Sequence, residues 1–207
     1  MQASIQISDR PELQYLLRIG DTALIQAQRL GEWTGHAPVL EEDIALANMA
    51  LDLLGQCRAV LTHAGALEGA GRDEDQLAFL RDERDYRNVT LVELPRGDFA
   101  FSVLRNAFAA TWFKLLWEKL ADSKDAELFA ADAVDEHAAA TRLGPRWSEL
   151  REPWMAEMAQ ILGEAGLAQP AALPFLSTGK RGVHSEHMGF VLAEMQQLQR
   201  AFPGGAW

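Results

Sequence analysis

The sequence predicts an all-α helical bundle in a single domain, 1–207. Three observations predict it. Apolar residues recur at three-and-four spacing along most of the chain. Stretches rich in Gly and Pro separate these periodic segments. No pair of strand-like runs appears. The length of 207 residues is nearer one domain than two at about 150 residues per domain.

The first helix is expected over Pro11 to Trp33, with Leu13, Leu16, Leu17, Gly20, Leu24 and Ala27 on one face. Pro11 suits a first turn, where its missing N–H costs nothing. Gly31 and the stretch Thr34-Gly35-His36-Ala37-Pro38 end it. The second helix is expected over Glu41 to Leu67. Glu41, Glu42 and Asp43 oppose its positive dipole end. Leu46, Met49, Ala50, Leu53, Cys57, Val60, Leu61 and Ala64 make one stripe; Ile44, Ala47, Leu51 and Leu54 make a second. Apolar residues on two faces predict a central helix.

A charged, Gly-rich connection follows from Gly69 to Asn88, with a short helix expected within 76–85. Val89 to Leu94 reads as an extended connection before the turn Pro95-Arg96-Gly97. The third helix is expected over Asp98 to Asp122, capped by Asp98, with Phe101, Leu104, Phe108, Trp112 and Leu115 inward. The fourth spans 125–150, with Phe129, Ala133, Glu136, Ala140, Leu143, Trp147 and Leu150 as its stripe and a kink at Pro145. A fifth covers Pro153 to Leu167. After a loop over 169–182, the last helix is expected over His184 to Ala201, with His187, Phe190, Val191, Glu194, Met195 and Leu198 on one side. Helices packed on helices make a bundle.

Thirty acidic residues against nineteen basic ones leave a net charge of -11. Nucleic-acid binders and proteins of anionic membrane surfaces carry the opposite balance. No unbroken run of eighteen apolar residues predicts a membrane span. No leader pattern is evident, and the lone Cys57 cannot form an internal disulfide. The expected compartment is the cytoplasm.

A helical bundle can hold two metal ions when Glu-x-x-His recurs on two of its helices. The five histidines allow an exhaustive check. Trp33, Val60, Val134, Arg181 and His184 stand three residues before them, so no Glu-x-x-His or Asp-x-x-His exists. Glu136 lies on the apolar stripe of the fourth helix, where a carboxylate needs a metal or a neighbouring Arg. Ala139 stands where its ligating His would be. His184 and His187 share a helix face, with Glu194 two turns on. Two His and a Glu could bind zinc, yet His184-Ser185-Glu186-His187 is no zinc-protease signature. The bland alternative is helix capping. Thr178-Gly179-Lys180-Arg181-Gly182 places Lys180 and Arg181 beside that helix start, open to an acidic partner or an anion, or simply solvated. Cys57 reads as a packing residue, not a nucleophile. The alternating charges of 72–75 and 81–85 read as solvated.

Several stretches together resemble one family. They are Arg29-Leu-Gly-Glu-Trp-Thr-Gly-His-Ala-Pro38, Asp43-Ile-Ala-Leu-Ala-Asn48 and Leu51-Asp-Leu-Leu-Gly-Gln56. Asp73-Glu-Asp, Leu80-Arg-Asp-Glu-Arg84, Gly182-Val-His-Ser-Glu-His-Met-Gly189 and Leu192-Ala-Glu-Met-Gln-Gln-Leu-Gln-Arg200 follow in order. The set is similar to the C subunits of bacterial ring 1,2-phenylacetyl-CoA epoxidases, the multicomponent mono-oxygenases of phenylacetate catabolism. The resemblance implies a ferritin-like bundle with additional C-terminal helices. It also implies a structural, metal-free subunit paired with a catalytic A subunit. That A subunit would carry the di-iron centre, and a separate reductase would supply electrons from NADPH. Asp52 with Gly55, and Glu136 with Ala139, then look like relics of a lost metal site. Family members carry a further helix after the fourth, whereas Leu150-Arg-Glu-Pro-Trp154 here runs straight into the later one. The rival expectation is a self-sufficient metalloenzyme using His184, His187, Glu194 and Glu136.

Overall fold

The computed structural model describes residues 5–121, 146–169 and 177–202. Among them lie seven α-helices and no strand, which is the predicted all-α class. The fourth predicted helix, with Glu136 and the Pro145 kink, falls largely outside the described residues. Its last part, Trp147–Leu150, is a 3-10 turn. The chain clusters into two compact units, one of 1–9, 13–102 and 177–207, the other of 10–12 and 103–176.

In the first unit, α1 (Pro11–Gly31) is the central helix. The predicted stripe is buried, and so are Tyr15, Ile19, Ala23, Ile25 and Leu30 on its other sides. The predicted centre, α2 (Leu40–Glu68), instead buries one face: Leu46, Ala50, Cys57, Val60, Leu61 and Ala64. Its second stripe is exposed, with Ile44 at 53% and Leu51 at 65%. Periodicity marks which residues share a face, but not whether this chain covers that face.

Between α2 and α5 the chain makes small, capped turns. Asp73 caps α3 (Glu74–Phe79) in a reciprocal capping box with Gln76. A 3-10 turn, Glu83–Asp85, follows. One helical turn, α4 (Thr90–Glu93), replaces the extended connection expected there and turns Val92 and Glu93 inward. Asp98 starts α5 (Phe99–Ala121) as predicted, accepting from Phe101 N at 2.7 Å.

The inward face of α5 is Ser102, Arg105, Ala109, Phe113 and Leu116, rotated from the predicted stripe. In the second unit, Phe108 and Trp112 on α5 instead join an aromatic cluster. Trp112 lies 5.4 Å from Trp147 and 5.6 Å from Trp154, between ring centroids. Trp154 opens α6 (Arg151–Glu164) and donates to Phe108 O at 2.9 Å. Met158 and Leu162 complete the buried face of α6.

The C-terminal part of the first unit is a strap, Ser177 to His187, leading into α7 (Met188–Ala201). The helix starts four residues later than predicted. Its buried face is Met188, Val191, Leu192, Met195 and Gln196, so Phe190, Glu194 and Leu198 point outward.

Candidate functional site

The most concentrated chemistry in the described residues is a set of polar side chains buried in the first unit. The central helix supplies Asp21, Thr22, Gln26 and Arg29, all buried. Its neighbours meet Asp21, Thr22 and Arg29 with specific groups: the Arg81 guanidinium, Val89 N and Glu93 O. Asp21 faces Arg81, and neither side chain has exposed surface. The pair is bidentate, with Arg81 Nη1 at 3.0 Å from Asp21 Oδ2 and Nη2 bonded to Oδ1. Arg87 N adds a 2.8 Å hydrogen bond to Oδ2. Arg81 also donates to Leu77 O and Asp85 O, and its guanidinium lies 4.3 Å from the Tyr86 ring. Gln196 on α7 donates to Arg81 O at 3.1 Å and to the Tyr86 hydroxyl at 3.0 Å. Burial opposes the charge on Arg81, and the Asp21 carboxylate more than offsets it. Burial also pushes the Tyr86 hydroxyl up.

Cys57 on α2 is within electrostatic reach of this pair. Burial, with the Asp21 charge adding to it, pushes the thiol up to about 12. The thiol is therefore neutral and is not a nucleophile, as its place on the core stripe predicted.

The second cluster centres on Glu93. Its carboxylate accepts from His184 Nδ1 at 2.7 Å, Asn88 Nδ2 at 3.0 Å and Ser185 N at 2.7 Å. Arg29 Nη2 donates to Glu93 O at 2.5 Å. His184 Nε2 lies 3.0 Å from Tyr86 O. A carbonyl and a carboxylate only accept, so both ring nitrogens must donate, and His184 is an imidazolium. Burial disfavours that charge, yet the hydrogen bond to Glu93 raises the His184 pKa overall. Burial likewise works against the Glu93 carboxylate, and His184 and Ser185 lower its pKa overall.

The strap is fitted closely around these groups. A Cβ on Gly179 would lie 1.7 Å from Asn88 O, and one on Gly182 2.1 Å from Arg84 O. Gly182 also has φ +68, which glycine adopts without strain. Ser177 Oγ accepts from Thr90 N at 3.0 Å, and Thr178 Oγ1 donates to Val183 O at 2.7 Å.

The predicted contact residues divide. Lys180 and Arg181 are exposed on the 3-10 turn Gly179–Arg181, and His187 is one-third exposed. His184 is not at the surface, because both ring nitrogens are engaged inside the chain. Nor does it meet Glu194, which is exposed on α7. No group of three potential metal ligands converges among the described residues. Asp52 is exposed on α2 with Gly55, and Glu136 lies outside the described residues.

Sequence reasoning missed Asp21, Arg81 and Glu93. Glu93 had a signal, as the one charge in the apolar run Val89 to Leu94. Arg81 was hidden in an alternating charge run expected to be solvated, yet it has no exposed surface.

Comparison with known proteins adds to this geometry. The family model described as phenylacetic acid catabolic protein matches residues 1–131 and 125–207. The C subunit of the 1,2-phenylacetyl-CoA epoxidase of Escherichia coli (strain K12) is 39% identical over 243 aligned positions. The alignment takes in 93% of this chain and 98% of that protein. The alignment is longer than this chain, so the relative has internal residues that this chain lacks. The two family matches overlap at 125–131.

Proposed function

Because the chain belongs to the phenylacetic acid catabolic protein family, a family of ferritin-like helical proteins, we propose that it is the structural subunit of a phenylacetyl-CoA-epoxidising mono-oxygenase. In this role it pairs with the di-iron catalytic A subunit and stabilises that subunit's active geometry. Electrons reach the A subunit from an NADPH-linked reductase, and the complex works in the cytoplasm.

The chief support within this chain is the state of its interior acids. Asp21 and Glu93 have no exposed surface. Each is already neutralised by a cation of the chain, Arg81 or His184. A di-iron centre needs carboxylates free to bridge metal ions and imidazoles free to complete their shells. These donors do not fit it: Asp21 and Glu93 are committed to cations, the His184 imidazole is protonated, and the Cys57 thiol is neutral. Oxygen chemistry is therefore assigned to the partner, and no reaction step is assigned to this chain.

The test is iron uptake and complementation. The purified chain, loaded with ferrous iron and dialysed, should retain far less than one equivalent. Added to the A subunit and the reductase, it should raise epoxidation of phenylacetyl-CoA. A full equivalent of retained iron, lost on changing His184 and His187 to Ala, would instead establish a self-sufficient metalloenzyme.

A further inference from the structure

The closed position of the strap depends on one proton. His184 Nδ1 lies 2.7 Å from Glu93 Oε1, and Nε2 lies 3.0 Å from Tyr86 O. Tyr86 O also accepts from Arg87 Nη1 at 2.9 Å, which takes its second lone pair. A neutral imidazole carries a single N–H. Its bare nitrogen would then face a carboxylate or a carbonyl oxygen, lone pair against lone pair.

The charges around that ring hold steady while it titrates. Glu93 faces it from α4, Glu83 from the 3-10 turn, and Arg87 from the chain after that turn. Arg29 on α1 acts through Glu93 O. Carboxylates ionise below about pH 5 and guanidiniums stay charged. Burial pushes the Tyr86 hydroxyl up, so it stays neutral. On the strap itself, Lys180 and Arg181 are exposed, and His187 lies 3.9 Å from Glu186.

The strap can move while the helices stay. It is seated by Ser177 on Thr90 N, by Gly179 and Gly182 against the carbonyls of Asn88 and Arg84, and by His184 and Ser185 on Glu93. Helix α7 has anchors of its own. Met188 is fully buried, Gln196 bonds Arg81 O and the Tyr86 hydroxyl, and Arg200 bonds Phe79 O at 3.1 Å and Arg81 O at 2.8 Å. Opening therefore stops at Met188.

We propose that the strap Ser177–His187 is a proton-operated latch, shut on α4 while His184 carries both ring protons and lifted, with the helices still folded, once the ring loses one. Lifting bares the Glu93 carboxylate, and water replaces the imidazolium as its partner. Such local opening needs less free energy than global unfolding. The latch belongs to this chain alone and does not depend on the function proposed above.

Amide hydrogen exchange of the full chain between about pH 6 and 9 tests it. Ser185 N, which donates to Glu93, reports on the strap, and Leu17 and Leu24 report on α1. After correction for base-catalysed exchange, the opening constant at Ser185 should exceed that of α1 by at least about 100-fold. It should rise about tenfold per pH unit above about 6.5, since opening releases one proton, and level off at the folded pKa of His184. His187→Gln should keep that slope. His184→Gln should flatten it, with the strap already open at pH 6. Nitrogen NMR of wild type at pH 6 should show both His184 ring N–H groups. A flat slope in wild type, or a single ring N–H at pH 6, would overturn the latch. So would equal opening constants at Ser185 and α1, because the strap would then leave only when the whole chain unfolds. These wild-type readings decide the matter even where His184→Gln fails to fold.

Discussion

Glu93 and His184, ninety-one residues apart, are joined by a 2.7 Å hydrogen bond with neither side chain reaching solvent. Because Tyr86 O takes the other ring N–H, the pair is a carboxylate and an imidazolium. It fastens the strap Ser177–His187 to the single turn α4.

The pair makes stability depend on pH from both sides. The His184 pKa is raised on folding, with Glu83 adding to the effect of Glu93. Its contribution is complete below the unfolded value of about 6.5 and fades as pH rises through the folded value. The Glu93 pKa is lowered on folding. Its contribution is complete above the unfolded value of about 4.3 and fades as pH falls through the folded one. The Tm gap between wild type and the double variant Glu93→Gln, His184→Gln should therefore be widest between about pH 4.5 and 6.5. A gap that stays flat from pH 4 to 10 would refute the assignment of charges.

Removing one member of the Asp21–Arg81 pair leaves a buried charge unmatched. Arg81→Met should cost about 3–5 kcal/mol in urea denaturation. Adding Asp21→Leu should recover part of that loss, since an apolar pair carries no desolvation penalty. Additive losses would mean that the two residues are not coupled.

Two glycine substitutions should act in opposite directions. Gly179→Ala forces a Cβ against Asn88 O and should lower Tm by several degrees. Gly55→Ala, in the middle of α2 with no atom within 4 Å of its Cβ, should stabilise the isolated chain by about 0.5–1 kcal/mol. Equal effects would mean that the strap is not seated as described.

Cys57 should be inert in the native protein. Its thiol is buried and pushed up to about 12, so little thiolate exists at pH 8. Iodoacetamide should label it only in denaturant, and the labelling rate should follow unfolding.

The helices were legible because their signals are local. Pro11, Asp98 and the spacing of Leu13 to Ala27 each act within a turn or two. The buried polar pairs were not legible, because Asp21 and Arg81 stand sixty residues apart and meet only through packing. Arg81 and Arg84 look alike in sequence, yet one is fully buried and the other exposed. The start of α7 was misjudged because the imidazole of His184 is held by Glu93, leaving Met188 to begin the helix. The outer face of α2 defeated the prediction of a central helix for a different reason. Its periodicity groups apolar residues on one face without saying whether that face is covered.

The strap also bears on the order in which the protein can be made. A chain leaves the ribosome N-terminus first. Glu93 is therefore synthesised well before its counterion at residue 184. Until that residue arrives, closing the core around α4 would bury a carboxylate that Asn88 bonds but no cation balances. Synthesis that stops before the strap cannot leave a stable shortened core, and an aborted product is exposed to proteolysis from the outset.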